Sequence, residues 1–171
     1  MTDIIFLHGM EGSPQGTKSQ FLRKHFPNCQ IPDLPPDTQK RLTILDDYIT
    51  QPAYLVGSSL GGLSAILFAM KKPHLVKGMV LMAPAVGFSE FIPVNDQEAL
   101  VAQQTYIPSD IPTTVIAALH DEVIPLAAIE QMVARSPNRQ HINFVKADDD
   151  HRLNQSLDYL LSSLKSLIQA D

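Results

Sequence analysis

A single cysteine, Cys29, is all the thiol in this 171-residue chain. With no second cysteine there can be no internal disulfide, which removes the stapled scaffolds of small secreted domains. No pair of histidines or cysteines stands at metal-ligand spacing, which argues against metal chemistry. Basic residues are in the minority, with Lys+Arg 13 against Asp+Glu 18 and a formal net charge of -5. No dense basic run is present, so a nucleic acid is not an expected partner. Long apolar runs are missing as well, and the longest fall far short of the ~20 residues a membrane span needs. Met1-Thr2-Asp3 leads straight into a strand without a basic region or cleavage site, so the expectation is a soluble protein in a reducing, cytoplasmic setting. No internal repeat or low-complexity linker divides the chain. A length of 171 residues suits one domain, long enough to bury roughly 70% of its unfolded surface without a metal or disulfide staple.

What is present is an alternation of short apolar runs with helical periodicities, the pattern of an α/β domain built on a mostly parallel sheet with helices on both faces. Ile4-Ile5-Phe6-Leu7 reads as the first strand, followed by a long turn through Gly9, Gly12 and Gly16. A helix is expected over 18–26, a short extended piece at Cys29-Gln30-Ile31, and a second helix over 37–49 between prolines. Strands are expected at 53–56, 78–82, 114–119 and 142–145. The helix opening at Ser59 is apolar nearly all round and should be largely buried, and Leu153, Leu157, Leu160, Leu161, Leu164, Leu167 and Ile168 trace one face of a closing helix. Residues 83–112 form the one long excursion, with an expected helix over 96–104 and the apolar residues Phe88, Phe91 and Ile92. Such excursions often serve as lids or binding loops; a structural patch on the sheet and a contact with a second subunit are the alternatives.

Gly57-Ser58-Ser59-Leu60-Gly61 stands where the apolar run Ala53-Tyr54-Leu55-Val56 gives way to that helix. By composition Gly-x-Ser-x-Gly would occur in about one chain of this length in twenty, so the setting carries the argument. A serine on a sharp strand-to-helix turn needs neighbours with almost no side chain, which makes Ser59 the candidate nucleophile and leaves Ser58 a structural role. A serine hydroxyl is a weak nucleophile until a positioned base takes its proton and a third group orients that base. Asp121 follows the strand ending at Leu119, and His151 follows the last strand; both should converge with the end of the Ser59 strand. Glu122 neighbours Asp121, and Asp148, Asp149 and Asp150 precede His151; these three aspartates are expected to cap the final helix or face solvent. Of the other histidines, His25, His74 and His141 fall at element ends, where capping or solvation is the default, and His8, beside the nucleophile loop, is placed to shape that loop by hydrogen bonding. The backbone N–H groups of Leu60 and Met10 are the candidate oxyanion donors. The turn from Gly9 to Gly16 lacks the Lys-Ser/Thr ending of a phosphate-binding loop.

Leu7-His8-Gly9-Met10-Glu11-Gly12-Ser13-Pro14, Gly57-Ser58-Ser59-Leu60-Gly61-Gly62, His120-Asp121-Glu122-Val123-Ile124-Pro125 and His151 together resemble an α/β-hydrolase over nearly the whole chain. Leu34-Pro35-Pro36 and the Gly-Ser-Ser-Leu-Gly-Gly elbow are similar to those of the small YqiA-like esterases. The two leading antiparallel strands of the full family sheet are expected to be absent, leaving less wall around the site. The resemblance implies an esterase or thioesterase that works through an acyl-enzyme without a cofactor, acting on a small-molecule ester or thioester. The short chain favours small or short-acyl substrates. Acyl transfer, carbon–carbon or amide hydrolysis by the same residues, and a hydrolase-like binding protein with little turnover are the alternatives.

Overall fold

The computed structural model describes residues 3–88 and 95–171. Five strands, β1 (Ile4–Leu7), β2 (Ala53–Ser58), β3 (Val76–Met82), β4 (Thr113–His120) and β5 (Ile142–Asp150), form one sheet in the order β1-β2-β3-β4-β5. Every pairing is parallel. Helices cover both faces, which is why β1 and β2 are buried at every residue and read as continuous apolar runs. The α/β architecture expected from the alternation is the one observed.

Side chains along each strand alternate between two cores. Ile5, Leu7, Leu55, Met79, Leu81, Val115 and Ala117 face one core, which is completed by helices α2 (Thr38–Tyr48), α3 (Leu60–Lys71) and α5 (Leu126–Arg135). Ile4, Phe6, Tyr54, Val56, Val80, Met82, Ile116 and Ala118 face the other, closed by α1 (Thr17–His25) and α6 (Leu157–Gln169). Each fully buried Leu, Ile or Phe contributes about 1.5–3 kcal/mol of transfer free energy. Helix α3 is buried nearly all round, as its composition predicts. Helix α2 begins where Asp37 Oδ1 accepts the Lys40 N–H at 2.8 Å, a side-chain cap for one of the orphan N–H groups at the helix start. Among the described residues no helix is long and apolar enough to cross a membrane.

Three expectations are revised. The piece at Cys29-Gln30-Ile31 contributes only one bridge, Gln30 beside Ile5, because Pro32 follows at once and Pro cannot extend a ladder. Strand β5 runs on to Asp150 rather than stopping at Val145. The closing helix starts at Leu157, and Leu153 lies in the preceding turn with φ 52°. In the 83–112 excursion, helix α4 (Asp96–Gln103) forms as expected, capped by Asn95, whose side chain accepts the Glu98 N–H at 2.9 Å. Phe91 and Ile92 lie outside the described residues. The far end of the excursion is pinned to α5, where Ser136 Oγ accepts the Ile107 N–H at 2.9 Å.

Candidate active site

Ser59 sits between the last residue of β2 and the first of α3 with φ 53° and ψ -115°, a conformation that costs a non-glycine residue about 1–3 kcal/mol. The surrounding backbone holds it there. Its N–H donates to Met82 O at 2.9 Å, and its carbonyl accepts from Leu63 N at 3.1 Å and Ala85 N at 3.0 Å. The glycine at 61 has a steric reason: a Cβ there would stand 1.8 Å from Leu7 O. Only glycine lets the first turn of α3 lie against the end of β1.

Asp121 follows β4 with its side chain 1% exposed. One oxygen, Oδ1, accepts the N–H groups of Val123 and Ile124, both at 2.8 Å. The other, Oδ2, stands 2.8 Å from His151 Nδ1. His151 Nε2 in turn stands 3.0 Å from Ser59 Oγ. A carboxylate accepts only, so it selects the tautomer protonated at Nδ1 and leaves the Nε2 lone pair facing the serine hydroxyl. Such a chain of three can deprotonate a hydroxyl while it attacks a carbonyl. Glu122, the alternative acid, is exposed.

The turn that carries His151 is organised by Asp149, a residue expected in solvent or at a helix cap. Asp149 is buried, at 5% exposure. It accepts the Asp150 N–H at 2.8 Å, the Gln155 N–H at 2.9 Å and the Ser156 hydroxyl at 2.8 Å. Asp150 accepts the Arg152 N–H at 2.9 Å, and Lys18 on α1 donates to Arg152 O. The Lys18 ammonium is held below its ordinary pKa by burial, against the pull of Asp149 and Asp150. Asp148 does face solvent and pairs with His120 at 2.7 Å. His8 is buried and accepts the Leu34 N–H at Nε2, 3.1 Å away, so its ring bonds the loop at Leu34 and not the nucleophile loop it was expected to shape.

Ser59 and His151 open onto a cleft of about 830 Å³, within the range for small-molecule sites. Met10, Leu60, Leu63, Phe88, Val101 and Ile124 give it an apolar lining. Phe88 and Val101 bring the excursion into that wall. The N–H groups of Met10 and Leu60 donate to no acceptor among the described residues, and Leu60, as the first residue of α3, has no acceptor a turn back.

The fold recurs in solved structures. Mouse alpha/beta hydrolase domain-containing protein 10 superposes with a TM-score of 0.81 at 20% identity, covering 98% of this chain and 90% of that one. A putative hydrolase of the alpha/beta superfamily from Xanthomonas campestris gives 0.76 at 23% identity over the full length of both chains. In sequence, the chain is 30% identical over 131 residues to the 2-hydroxy-6-oxononadienedioate/2-hydroxy-6-oxononatrienedioate hydrolase of Paraburkholderia phymatum, which covers 66% of this chain and 44% of that protein. The chain thus spans less than half the length of the curated relatives it matches. The protein has an α/β-hydrolase fold, and through residues 3–111 it belongs to the Uncharacterised protein family UPF0227.

Proposed function

We propose that the protein is a serine hydrolase that cleaves small or short-acyl carboxylic esters or thioesters through an acyl-enzyme on Ser59. The observation that carries this reading is the chain Asp121–His151–Ser59, linked at 2.8 Å and 3.0 Å, ending on a serine held at positive φ. Ser59 Oγ attacks the carbonyl carbon as His151 Nε2 takes the hydroxyl proton, and Asp121 stabilises the imidazolium. The N–H groups of Leu60 and Met10 receive the developing oxyanion, where losing one donor costs about 3 kcal/mol of barrier. His151 then gives its proton to the departing alcohol or thiol. Water, deprotonated by His151, releases the acid and restores Ser59. No step calls on a cofactor. The lining by Phe88 and Val101 supports residues 83–112 acting as a small lid, and the short chain leaves little material for a deep acyl tunnel.

A second reading, hydrolysis of a 2-hydroxy-6-oxo-dienedioate by the same three residues, is favoured by the likeness to the Paraburkholderia hydrolase. The deciding experiment measures hydrolysis of p-nitrophenyl esters of graded acyl length by the wild type and by Ser59→Ala, with fluorophosphonate labelling of both. The expected result is turnover greatest for acetyl or butyryl esters, with turnover and label both lost in the variant. Equal rates in the two proteins would sink the nucleophile assignment. Labelling without ester turnover would move the reading to the dienedioate.

A further inference from the structure

Three donors converge on one carbonyl beside the site. His8 Nδ1 lies 2.8 Å from Gly9 O, Arg41 Nη2 lies 3.2 Å from it, and the Gly12 N–H lies 3.2 Å from it. The proton on His8 Nδ1 follows from the other side of the ring, because the Leu34 N–H points at Nε2 and needs a lone pair there. Arg41 is the costly member of the set. It is 0% exposed, and among the described residues no carboxylate pairs with it. Its guanidinium donates instead to the carbonyls of Pro35, His8 (2.6 Å) and Gly9. Burial pulls its pKa down to about 10, so it is still charged at neutral pH. A buried cation without a counter-ion is expensive, and here it braces one loop.

That loop contains the peptide whose C=O belongs to Gly9 and whose N–H belongs to Met10. The described chain has no cis peptide bond, so this C=O and N–H point in opposite directions. Fixing the carbonyl therefore fixes the direction of the Met10 N–H. A charge-assisted bond on the carbonyl also withdraws electron density from the amide and makes its N–H a stronger donor. We propose that Arg41 is a positioning residue which, with His8, clamps and polarises the Gly9–Met10 peptide so that the Met10 N–H stands preorganised for the oxyanion. The proposal rests on the ester-hydrolase reading above.

The test compares wild type, Arg41→Lys and Arg41→Met with p-nitrophenyl acetate. Active sites are counted by fluorophosphonate titration to completion, and phenylboronic acid serves as a mimic of the tetrahedral intermediate. Complete loss of an oxyanion donor lowers kcat about 10²–10³-fold, so a misdirected donor in Arg41→Met should lower kcat per titrated site about 10- to 100-fold. KM should hold steady, phenylboronate affinity should fall in parallel with kcat, and Arg41→Lys should lie between. If Arg41→Met fails to fold, His8→Phe, which removes one of the three donors at similar volume, must show the same pattern at smaller size. A fall confined to melting temperature or to the titrated fraction, with kcat per site and boronate affinity unchanged, would overturn the proposal. So would unfolding of both Arg41→Met and His8→Phe, since the clamp would then hold the fold and not the donor. Wild-type protein inert to both ester and fluorophosphonate would instead remove the ester-hydrolase reading, and the positioning role with it.

Discussion

At the carboxyl edge of the sheet the backbone is bent into the left-handed region at Ser59, Ala83 and Leu153, with φ of 53°, 42° and 52°; at the amino edge the chain is tied by side chains, Lys71 and Lys72 to Asp46 and Lys77 to Asp171. The first set of constraints is rigid and interlocked. Ala83 turns the chain after β3 so that the Ala85 N–H reaches Ser59 O, while Met82 O accepts the Ser59 N–H. The polar groups behind it, His8, Arg41 and Asp149, are buried. The second set is half exposed, with side chains between 23% and 56% accessible, and such pairs yield easily to water and salt. Strain is tolerable at one edge because neighbouring hydrogen bonds over-determine it, and strained geometry of this kind gathers where function needs a fixed angle.

The largest break of this comparison comes from Asp121→Asn. The asparagine oxygen can still accept from the Val123 and Ile124 N–H groups, so urea unfolding should change little. The amide in place of Oδ2 selects the wrong imidazole tautomer, and turnover should fall about 10⁴-fold. A fall in stability matching the loss of turnover would show that Asp121 holds the loop and does not orient His151.

Next in size is a pair on the same edge. Asp149→Ala removes a buried acceptor of three hydrogen bonds and should cost about 2–3 kcal/mol of stability. Because the turn it organises carries His151, ester turnover should drop more than about tenfold as the base leaves its 1 Å-sensitive position. Asp148→Ala breaks an exposed pair with His120 and should stay within about 0.5 kcal/mol, with turnover unchanged. Equal effects from the two variants would mean that location at the edge, and not burial, sets the sensitivity.

That pair also marks where the sequence stops being readable. The grouping of Ser59, Asp121 and His151 is legible because each stands at the end of an apolar run, and the end of a parallel strand is a place in space as well as in sequence. Gly57 and Gly61 add a steric signal that few other functions need. Asp148, Asp149 and Asp150 look alike as letters. Which of them is buried depends on how far β5 runs, and that strand lies at the sheet edge, where charged side chains are tolerated and hide the continuation. Leu153 extends the leucine spacing of the last helix yet belongs to the turn, because Asp149 binds Ser156 and starts the helix later. Arg41 sits in the polar-looking helix Thr38–Tyr48, and nothing local tells a solvated arginine from one folded inward onto carbonyls.

Smaller, and opposite in sign, is the effect of relieving strain. Ser59→Gly should raise urea-derived stability by about 1 kcal/mol, because glycine accepts φ 53° without the Cβ penalty, while abolishing ester turnover. A variant less stable than wild type would mean that the serine hydroxyl's contact with His151 outweighs the strain of its backbone.

The smallest effect should come from the amino edge. Asp46→Asn removes a carboxylate held below its ordinary pKa by hydrogen bonds from Lys71 and then Lys72, and should cost no more than about 1 kcal/mol at neutral pH, with ester turnover unchanged. The sign of its pH dependence follows from that depression. A carboxyl whose folded pKa lies below its unfolded value stabilises the fold above the unfolded pKa, and the stabilisation disappears as pH falls through the folded one. The stability gap between wild type and Asp46→Asn should therefore be constant through the neutral range and close only in acid, below the ordinary carboxylate pKa. It should also shrink in high salt, which screens half-exposed pairs. A gap that instead persisted in acid and in salt would mean that Asp46 braces its helix end through packing, as the residues of the opposite edge do, and the contrast between the two edges would fail at this position.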